Sequence, residues 1–301
     1  MKVIAYKHPP FVQETTEGFT IHCHPWQHET DMQELWDCCS PEEADYIITP
    51  FIFSTSTASP FAPQTAMRLF TERLIYFERY PGKHIILDNS DTDFSYPFLS
   101  GATLFKTSAS IRDPHVFALP YNTADPPELL PIAGARYDIC FQGSLDTHPI
   151  RKEMARWMHS WKALKILFRE TAKPFWSLRA DEQLHFSNSY KEQLIQSVFV
   201  LCPRGRALNS RRFFEALSYG RIPVLITDAA KLPLASIIDY DKFVVTVPEG
   251  YGRWVPEFIA DFKKRNDIVE ASRLARRAFD HFFAAKQFRN FITHALERAT
   301  M

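Results

Sequence analysis

SVFVLCPRGRALNSRRFFEALSYGRIPVLITD, running from Ser197 to Asp228, is a strand, a basic loop, a short helix, a glycine stop and a second strand. Val198 to Cys202 is apolar and rich in strand formers, and Ile222 to Ile226 repeats that character. Between them, Pro203 to Asn209 carries Arg204, Gly205 and Arg206, with Asn209 as a turn residue that can contact a ligand. Ser210 is placed to cap a helix starting at Arg211, its hydroxyl meeting a free amide of the first turn. Gly220 stands where a helix closes in a left-handed conformation. In a parallel sheet this order sets the loop and the helix N-terminus at the carboxyl edge of the first strand, where open α/β sheets bind ligands. Free amides, the positive end of a helix and several arginines favour a phosphorylated molecule. Arg212 and Glu215 are three apart and share a helix face. The guanidinium can hold phosphate while the carboxylate accepts hydroxyl protons from a sugar, which outlines a nucleotide-sugar site.

Outside this block the chain alternates strands and helices, the pattern of an α/β fold with parallel sheets. Lys2–Tyr6, Ala44–Thr49, His84–Asp88, Thr103–Lys106 and Val116–Leu119 are candidate strands. Thr65–Glu78 repeats Met67, Leu69, Phe70, Leu74 and Phe77 at helical spacing. Asp125–Pro131 holds Pro126, Pro127 and Pro131, and proline continues neither ladder nor helix. The domain boundary is expected there, giving residues 1–130 and 131–301. In the second part, Asp138–Phe141 and Leu164–Phe168 are strands, His148–Trp161 is a helix with proline near its start, and Asp181–Ser197 is a helix feeding the decisive strand. Phe243–Val247 is the last strand, and the chain from Asp261 onward is helical, with Leu274, Ala278, Phe282 and Phe283 on one side.

The 301 residues suffice for two ordinary domains. Acidic and basic residues balance at 35 each, so no broad field draws the protein to nucleic acid or to an anionic membrane, and a basic site must be a local pocket. The five cysteines (Cys23, Cys38, Cys39, Cys140 and Cys202) show no CxxC spacing, which fits neither a disulfide framework nor a zinc site but suits a reducing compartment. No apolar run of about 18 residues occurs, so no transmembrane segment is expected and the chain reads as soluble and cytoplasmic.

The block from Ser197 to Val247 resembles the signature of the exostosin-like glycosyltransferases, family 47 of those enzymes. The similarity rests on Cys202-Pro203-Arg204-Gly205, Ser210-Arg211-Arg212, Glu215-Ala216-Leu217 and Ile222-Pro223-Val224, and it continues through Leu232-Pro233, Asp239-Tyr240 and Phe243-Val244-Val245. Weaker likeness covers Asp138–Ser144 and His148-Pro149-Ile150-Arg151, with echoes at Ala44–Phe51 and Asp113–Pro120. The resemblance implies a GT-B fold, two Rossmann-like domains facing a cleft, with a terminal helix such as Phe288–Leu296 crossing back to the first domain. It also implies inverting transfer of a hexosyl or pentosyl group from a nucleotide-sugar donor, UDP-linked in most relatives, to an oligosaccharide or other glycan acceptor, as in polysaccharide biosynthesis. Animal and plant members carry a membrane anchor and work in the Golgi; this chain departs from them in showing none.

Gly143 and Ser144 follow the first strand of the second domain and can admit a pyrophosphate close to the backbone, with Arg151 on the next helix; a plain strand-to-helix turn fits them equally. Arg204 and Arg206 fit either a donor contact or solvated loop charge, and Glu215 either ribose binding, which the resemblance favours, or an ion pair with Arg211 or Arg212. Inverting transfer needs a base for the acceptor hydroxyl. Asp91 is the first candidate and Asp88 the second, in the run Leu87–Asp93 after a strand, where a turn-and-cap cluster is the plainer alternative. His8, after the first strand, is the rival. His22, His24 and His28 only loosely match metal spacing, Trp26 beside them fits a sugar platform or core, and no DxD follows a strand of the second domain, so neither metal nor other cofactor is expected. A non-catalytic nucleotide- or glycan-binding subunit and a fucosyltransferase-like GDP-sugar enzyme remain the alternatives. Sugar and acceptor choice would lie in loops such as Phe51–Pro63 and Lys173–His185.

Overall fold

The computed structural model describes residues 2–6, 13–16, 19–25, 39–57, 62–94, 96–99, 101–126, 131–171 and 175–299. The chain forms two α/β units, Met1–Asn122 with Ala229–Pro233, and Thr123–Asp228 with Leu234–Met301. The division falls ahead of the proline-rich segment where it was expected, because Thr123 to Pro126 run on with the second unit, Asp125 accepting from Arg276 at 2.8 Å. The short return of Ala229–Pro233 to the first unit was not expected either. Lys231 fixes it by donating to the carbonyls of Asp113, Pro114 and Val116.

The first unit contains β1 (Val3–Ala5), β2 (Gln13–Thr16), β3 (Phe19–Pro25), β4 (Tyr46–Thr57), α1 (Ala62–Glu72), β5 (His84–Asp88), β6 (Thr103–Lys106) and β7 (Val116–Ala118). β4 to β7 lie side by side in chain order and parallel. β1 pairs with Tyr46–Ile48 in parallel, and further along the same strand β3 pairs antiparallel with Phe51–Thr57. The segment expected to be a loop from Phe51 is therefore strand as far as Thr57. Its register shifts between Ile48 and Ile52, around Pro50, which has no N–H to give to the ladder. The β2–β3 hairpin gives His22 and His24 their spacing: it is strand period, in register with Ser54 and Ile52. His28 and Trp26 lie outside the described residues.

Ala66, Met67 and Phe70 of α1 bury against the sheet with Phe53, Ile86 and Leu104. The helix ends at Glu72, short of the expected Glu78, and the chain then turns. The turn brings Phe77 to 5.0 Å from His84 and Tyr76 to 5.7 Å from Tyr6. This aromatic contact outweighs the helical spacing.

The second unit contains β8 (Tyr137–Gly143), α2 (Pro149–Met158), β9 (Ile166–Glu170), α3 (Ala180–Ile195), β10 (Ser197–Pro203), α4 (Arg211–Ser218), β11 (Ile222–Ile226), β12 (Val245–Val247), α5 (Val255–Arg265), α6 (Ile268–Ala278) and α7 (Phe288–Ala299). Its sheet is wholly parallel in the order β12-β11-β10-β8-β9. Phe213, Phe214, Ala216 and Leu217 bury α4 on this sheet. Gly220, at φ +61, ends that helix in the left-handed region, as its position suggested. The C-terminal helices begin at Val255, before the expected Asp261. Helix α7 is part of the second unit, with Phe291 6.5 Å from Phe283. Among the described residues no helix is long and apolar enough to cross a membrane.

His84 is fully buried in the first unit. Its Nδ1–H donates to the Tyr80 carbonyl at 2.8 Å, so Nε2 accepts from the Tyr6 hydroxyl at 3.0 Å, which in turn accepts from the Tyr76 amide at 3.2 Å. Burial lowers its pKa from the ordinary 6.5 and raises that of Tyr6 to about 12. The unfolded chain takes up a proton that the folded His84 refuses, so stability is full above pH 6.5 and falls as the pH drops below it. Thermal melting from pH 8 to pH 5 should show this fall in the native chain. His84→Gln should melt lower at pH 8 but lose less on acidification; an equal loss would contradict the assignment.

Candidate functional site

The order of the second sheet reverses between β8 and β10: from β8 the chain goes out to β9, then returns past β8 to β10 and on to β11 and β12. The loops after β8 and β10 therefore leave in opposite directions at the carboxyl ends of the two strands, where open α/β sheets have their binding crevice. The described parallel strands of the first unit follow chain order without such a reversal. Gly143, Ser144 and Arg151 come from the β8 side of the crevice, and Arg204, Gly205, Arg206, Asn209, Ser210, Arg212 and Glu215 from the β10 side.

Arg151 ties the two sides. Its Nη1 donates to the Ser144 carbonyl at 3.1 Å, its Nη2 to that of Pro203 at 3.3 Å and its Nε to that of Arg204 at 3.0 Å. It is 7% exposed. Expected as a phosphate contact, it instead gives its hydrogen bonds to the backbone of both loops.

Arg212 donates from Nε and Nη2 to the Gln142 carbonyl at 3.0 and 2.6 Å, with its guanidinium 4.8 Å over the Phe141 ring. These contacts engage Nε and Nη2 and leave the side chain half-buried at the second residue of α4. Gly143 has φ +155, a conformation that favours glycine, and the Arg212 guanidinium fills the space a Cβ there would take. A Cβ on Gly205 would stand 3.1 Å from Arg151 Nη2 and 3.6 Å from Thr147 Oγ1, which shows how closely the loops approach.

Ser210 precedes α4 as expected, but its hydroxyl makes no cap hydrogen bond. Asn209 Oδ1 accepts from the Ser210 amide at 2.8 Å. Ser210 Oγ, Asn209 Nδ2, Thr147 Oγ1 and Arg204 Nε are all buried without a hydrogen-bond partner among the described residues. Buried polar groups are almost always paired, and each unpaired one costs about 1–3 kcal/mol. All of these atoms lie on the two loops of the crevice.

Arg204 also donates from Nη2 to the Arg206 carbonyl at 3.3 Å and sits 3.7 Å from Glu249, at the end of β12. The Arg206 side chain is exposed. Burial pushes the Glu249 carboxyl up, against the pull of Arg204, and burial with the Arg204 and Arg151 charges pushes His148 down. Glu215 Oε2 accepts from the Tyr190 hydroxyl at 2.6 Å. Sequence reasoning missed Thr147, Tyr190 and Glu249. Thr147 lay within a loop already singled out, whereas Tyr190 and Glu249 meet their partners through packing that no local spacing reveals.

In the first unit Asp88 is fully buried. Its Oδ1 accepts from the Ser90 amide and hydroxyl at 2.8 and 2.6 Å, and its Oδ2 from the Tyr96 hydroxyl at 3.0 Å with Lys106 Nζ at 3.3 Å. As a candidate base it is corrected: a carboxylate sealed from solvent and engaged on both oxygens has no room for an acceptor hydroxyl. Asp91 is exposed in the turn that follows. His8 lies outside the described residues.

Lys106→Met should destabilise the first unit by about 3–5 kcal/mol, the usual effect of leaving one buried partner charged and alone. Denaturant unfolding measures it, and a loss below about 1 kcal/mol, the level of a surface pair, would contradict the buried ion pair.

The family model described as Exostosin GT47 domain matches residues 29–253. Among curated proteins the chain is similar to the Exostosin-1 homolog of Caenorhabditis elegans, at 32% identity over 37% of this chain and 31% of that protein. It is 30% identical to Exostosin-1 of Drosophila melanogaster over 42% of this chain and 18% of that protein. The chain thus spans about a third or less of these relatives. Against a rice protein named "Probable glucuronosyltransferase GUT1" (Oryza sativa subsp. japonica) the identity is 24%, over 83% of this chain and 68% of that protein. Among solved structures S. aureus TarM is similar at 10% identity and a TM-score of 0.43, over 86% of this chain and 51% of that one.

Proposed function

This chain belongs to the exostosin GT47 family, and on that premise we propose that it transfers a sugar from a nucleotide-diphosphate donor, a UDP-sugar, to a hydroxyl of a glycan acceptor with inversion at the anomeric carbon. The observation that carries this proposal is the set of buried, unpaired polar atoms on Thr147, Arg204, Asn209 and Ser210, gathered at the strand reversal beside the N-terminus of α4. Arg204 Nε and Asn209 Nδ2 are donors, and the two hydroxyls can donate, so a fitting ligand is rich in acceptors. A diphosphate meets that requirement and also gains from Arg212 and the helix end.

In this scheme the architecture is GT-B, the second unit holds the donor and the first the acceptor. Asp91 takes the proton as the acceptor hydroxyl attacks the anomeric carbon, and Asp88 holds the turn on which Asp91 sits. The bond to the diphosphate breaks on the opposite face. Arg204, Arg212 and the crevice donors stabilise the charge that develops on the leaving nucleoside diphosphate, as preorganised dipoles do. This electrostatic work is done by the protein's own cations, so turnover should persist in EDTA. The sealing of Asp88 favours one second reading, a non-catalytic nucleotide-binding subunit of the same fold.

Arg212→Ala should weaken UDP binding by more than tenfold with melting temperature preserved; unchanged affinity would remove the donor assignment. Incubation with a panel of UDP-sugars, with GDP-sugars as comparison, should show donor consumption. Asp91→Asn should lower that turnover by about 100-fold or more, the scale of general-base catalysis, without weakening UDP. Binding with no turnover of any donor would select the second reading.

A further inference from the structure

Helix α3 has no part in the signature block, yet it braces two of the residues that block supplies. Ser189 Oγ donates to Gln142 Oε1 at 3.1 Å, and Gln142 Nε2 donates to the Phe186 carbonyl at 3.2 Å. The Gln142 carbonyl in turn holds Arg212. One helical turn along from Phe186, the Tyr190 hydroxyl donates to Glu215 Oε2 at 2.6 Å. The Tyr190 ring stacks on Phe186 at 6.2 Å and 26°, which fixes its direction.

A phenol has one proton to give, and here it goes to one carboxylate oxygen. Tyr190 therefore acts only as a donor to Glu215 and adds no second acceptor. Glu215 keeps Oε1 and the remaining lone pair of Oε2 as an acceptor pair of fixed orientation. Two adjacent hydroxyls match such a pair; one hydroxyl uses half of it. A carboxylate without the phenol would turn about its terminal torsion, which is broad, and would accept from one hydroxyl as readily as from two.

We propose that Tyr190 is a positioning residue that sets Glu215 to recognise the vicinal diol of a ribonucleotide, and so makes the crevice selective for ribo- over deoxyribonucleotides. This inference rests on the donor site proposed above. It adds that selectivity depends on a hydroxyl outside the signature block.

Calorimetric titration of UDP and 2′-deoxy-UDP into the full chain, the Tyr190→Phe variant and the Glu215→Gln variant tests it, with melting curves as a check on folding. The native chain should prefer UDP by about tenfold or more, the scale of a hydrogen bond to a charged group. Tyr190→Phe should bind UDP several-fold more weakly and 2′-deoxy-UDP within twofold of the native chain, so that the preference shrinks. Glu215→Gln, which keeps the shape of the site, should shrink it as well. Equal weakening of both ligands by Tyr190→Phe, or an undiminished preference, would overturn the positioning role. If the Tyr190 variant does not fold, an undiminished preference in Glu215→Gln overturns it alone. Failure of the native chain to bind either UDP or 2′-deoxy-UDP would be a distinct outcome, removing the proposed UDP site and the inference together.

Discussion

One buried guanidinium makes the crevice of the second unit a fixed object. Arg151 reaches from α2 to three carbonyls that belong to two different loops, one leaving β8 and the other leaving β10. At a strand reversal such loops diverge by construction, since their helices lie on opposite faces of the sheet. A cation between them is favoured because the carbonyls there have no ladder left to join. The arrangement is self-reinforcing: without Arg151 the three carbonyls would be desolvated and unpaired, and without the carbonyls the charge could not be buried. The close approach that follows would put a Cβ at Gly205 only 3.1 Å from Arg151 Nη2 and leaves the neighbouring polar atoms in a fixed array.

That fixation divides the arginines by task. Arg151 is spent on the fold, while Arg204 and Arg212 are each held by carbonyl contacts on one side and remain half-buried. A partly satisfied cation at a helix start loses little on meeting an anion, because most of its desolvation and ordering has already occurred on folding. The first unit treats charge in the opposite way. Lys106 and Asp88 are sealed together, and Tyr96 and Ser90 complete their hydrogen bonding, which makes the end of β5 rigid but chemically inert.

Much of this was legible in the chain, and the boundary of legibility is physical. The strand–loop–helix–strand order of Ser197–Asp228 is set by local composition and spacing, and the structure reproduces it, down to the left-handed Gly220. Which strands neighbour one another is not local: the reversal between β8 and β10 depends on where β9 docks, and no periodicity encodes that. The same limit hid the roles of Arg151, Tyr190 and Glu249. Asp88 looked catalytic because a carboxylate after a strand is ambiguous until its burial is known. Ser210 stands at the cap position of α4, but whether its hydroxyl bonds the first turn is set by a side-chain torsion that residue type does not fix. In β3, Phe19, Ile21 and Cys23 alternate with polar residues as in any strand, and the metal-like spacing of His22 and His24 is the same period of two.

The central claim is that the unpaired donors of the crevice receive a diphosphate, and nitrogen-detected resonances of the donors themselves report on it most directly. The Asn209 carboxamide and the Arg204 Nε–H should shift downfield on addition of UDP or inorganic pyrophosphate, saturating together with a single dissociation constant, and UMP should produce a weaker change. Saturable UDP binding that leaves both resonances in place, with shifts confined to residues away from β8 and β10, would contradict the account.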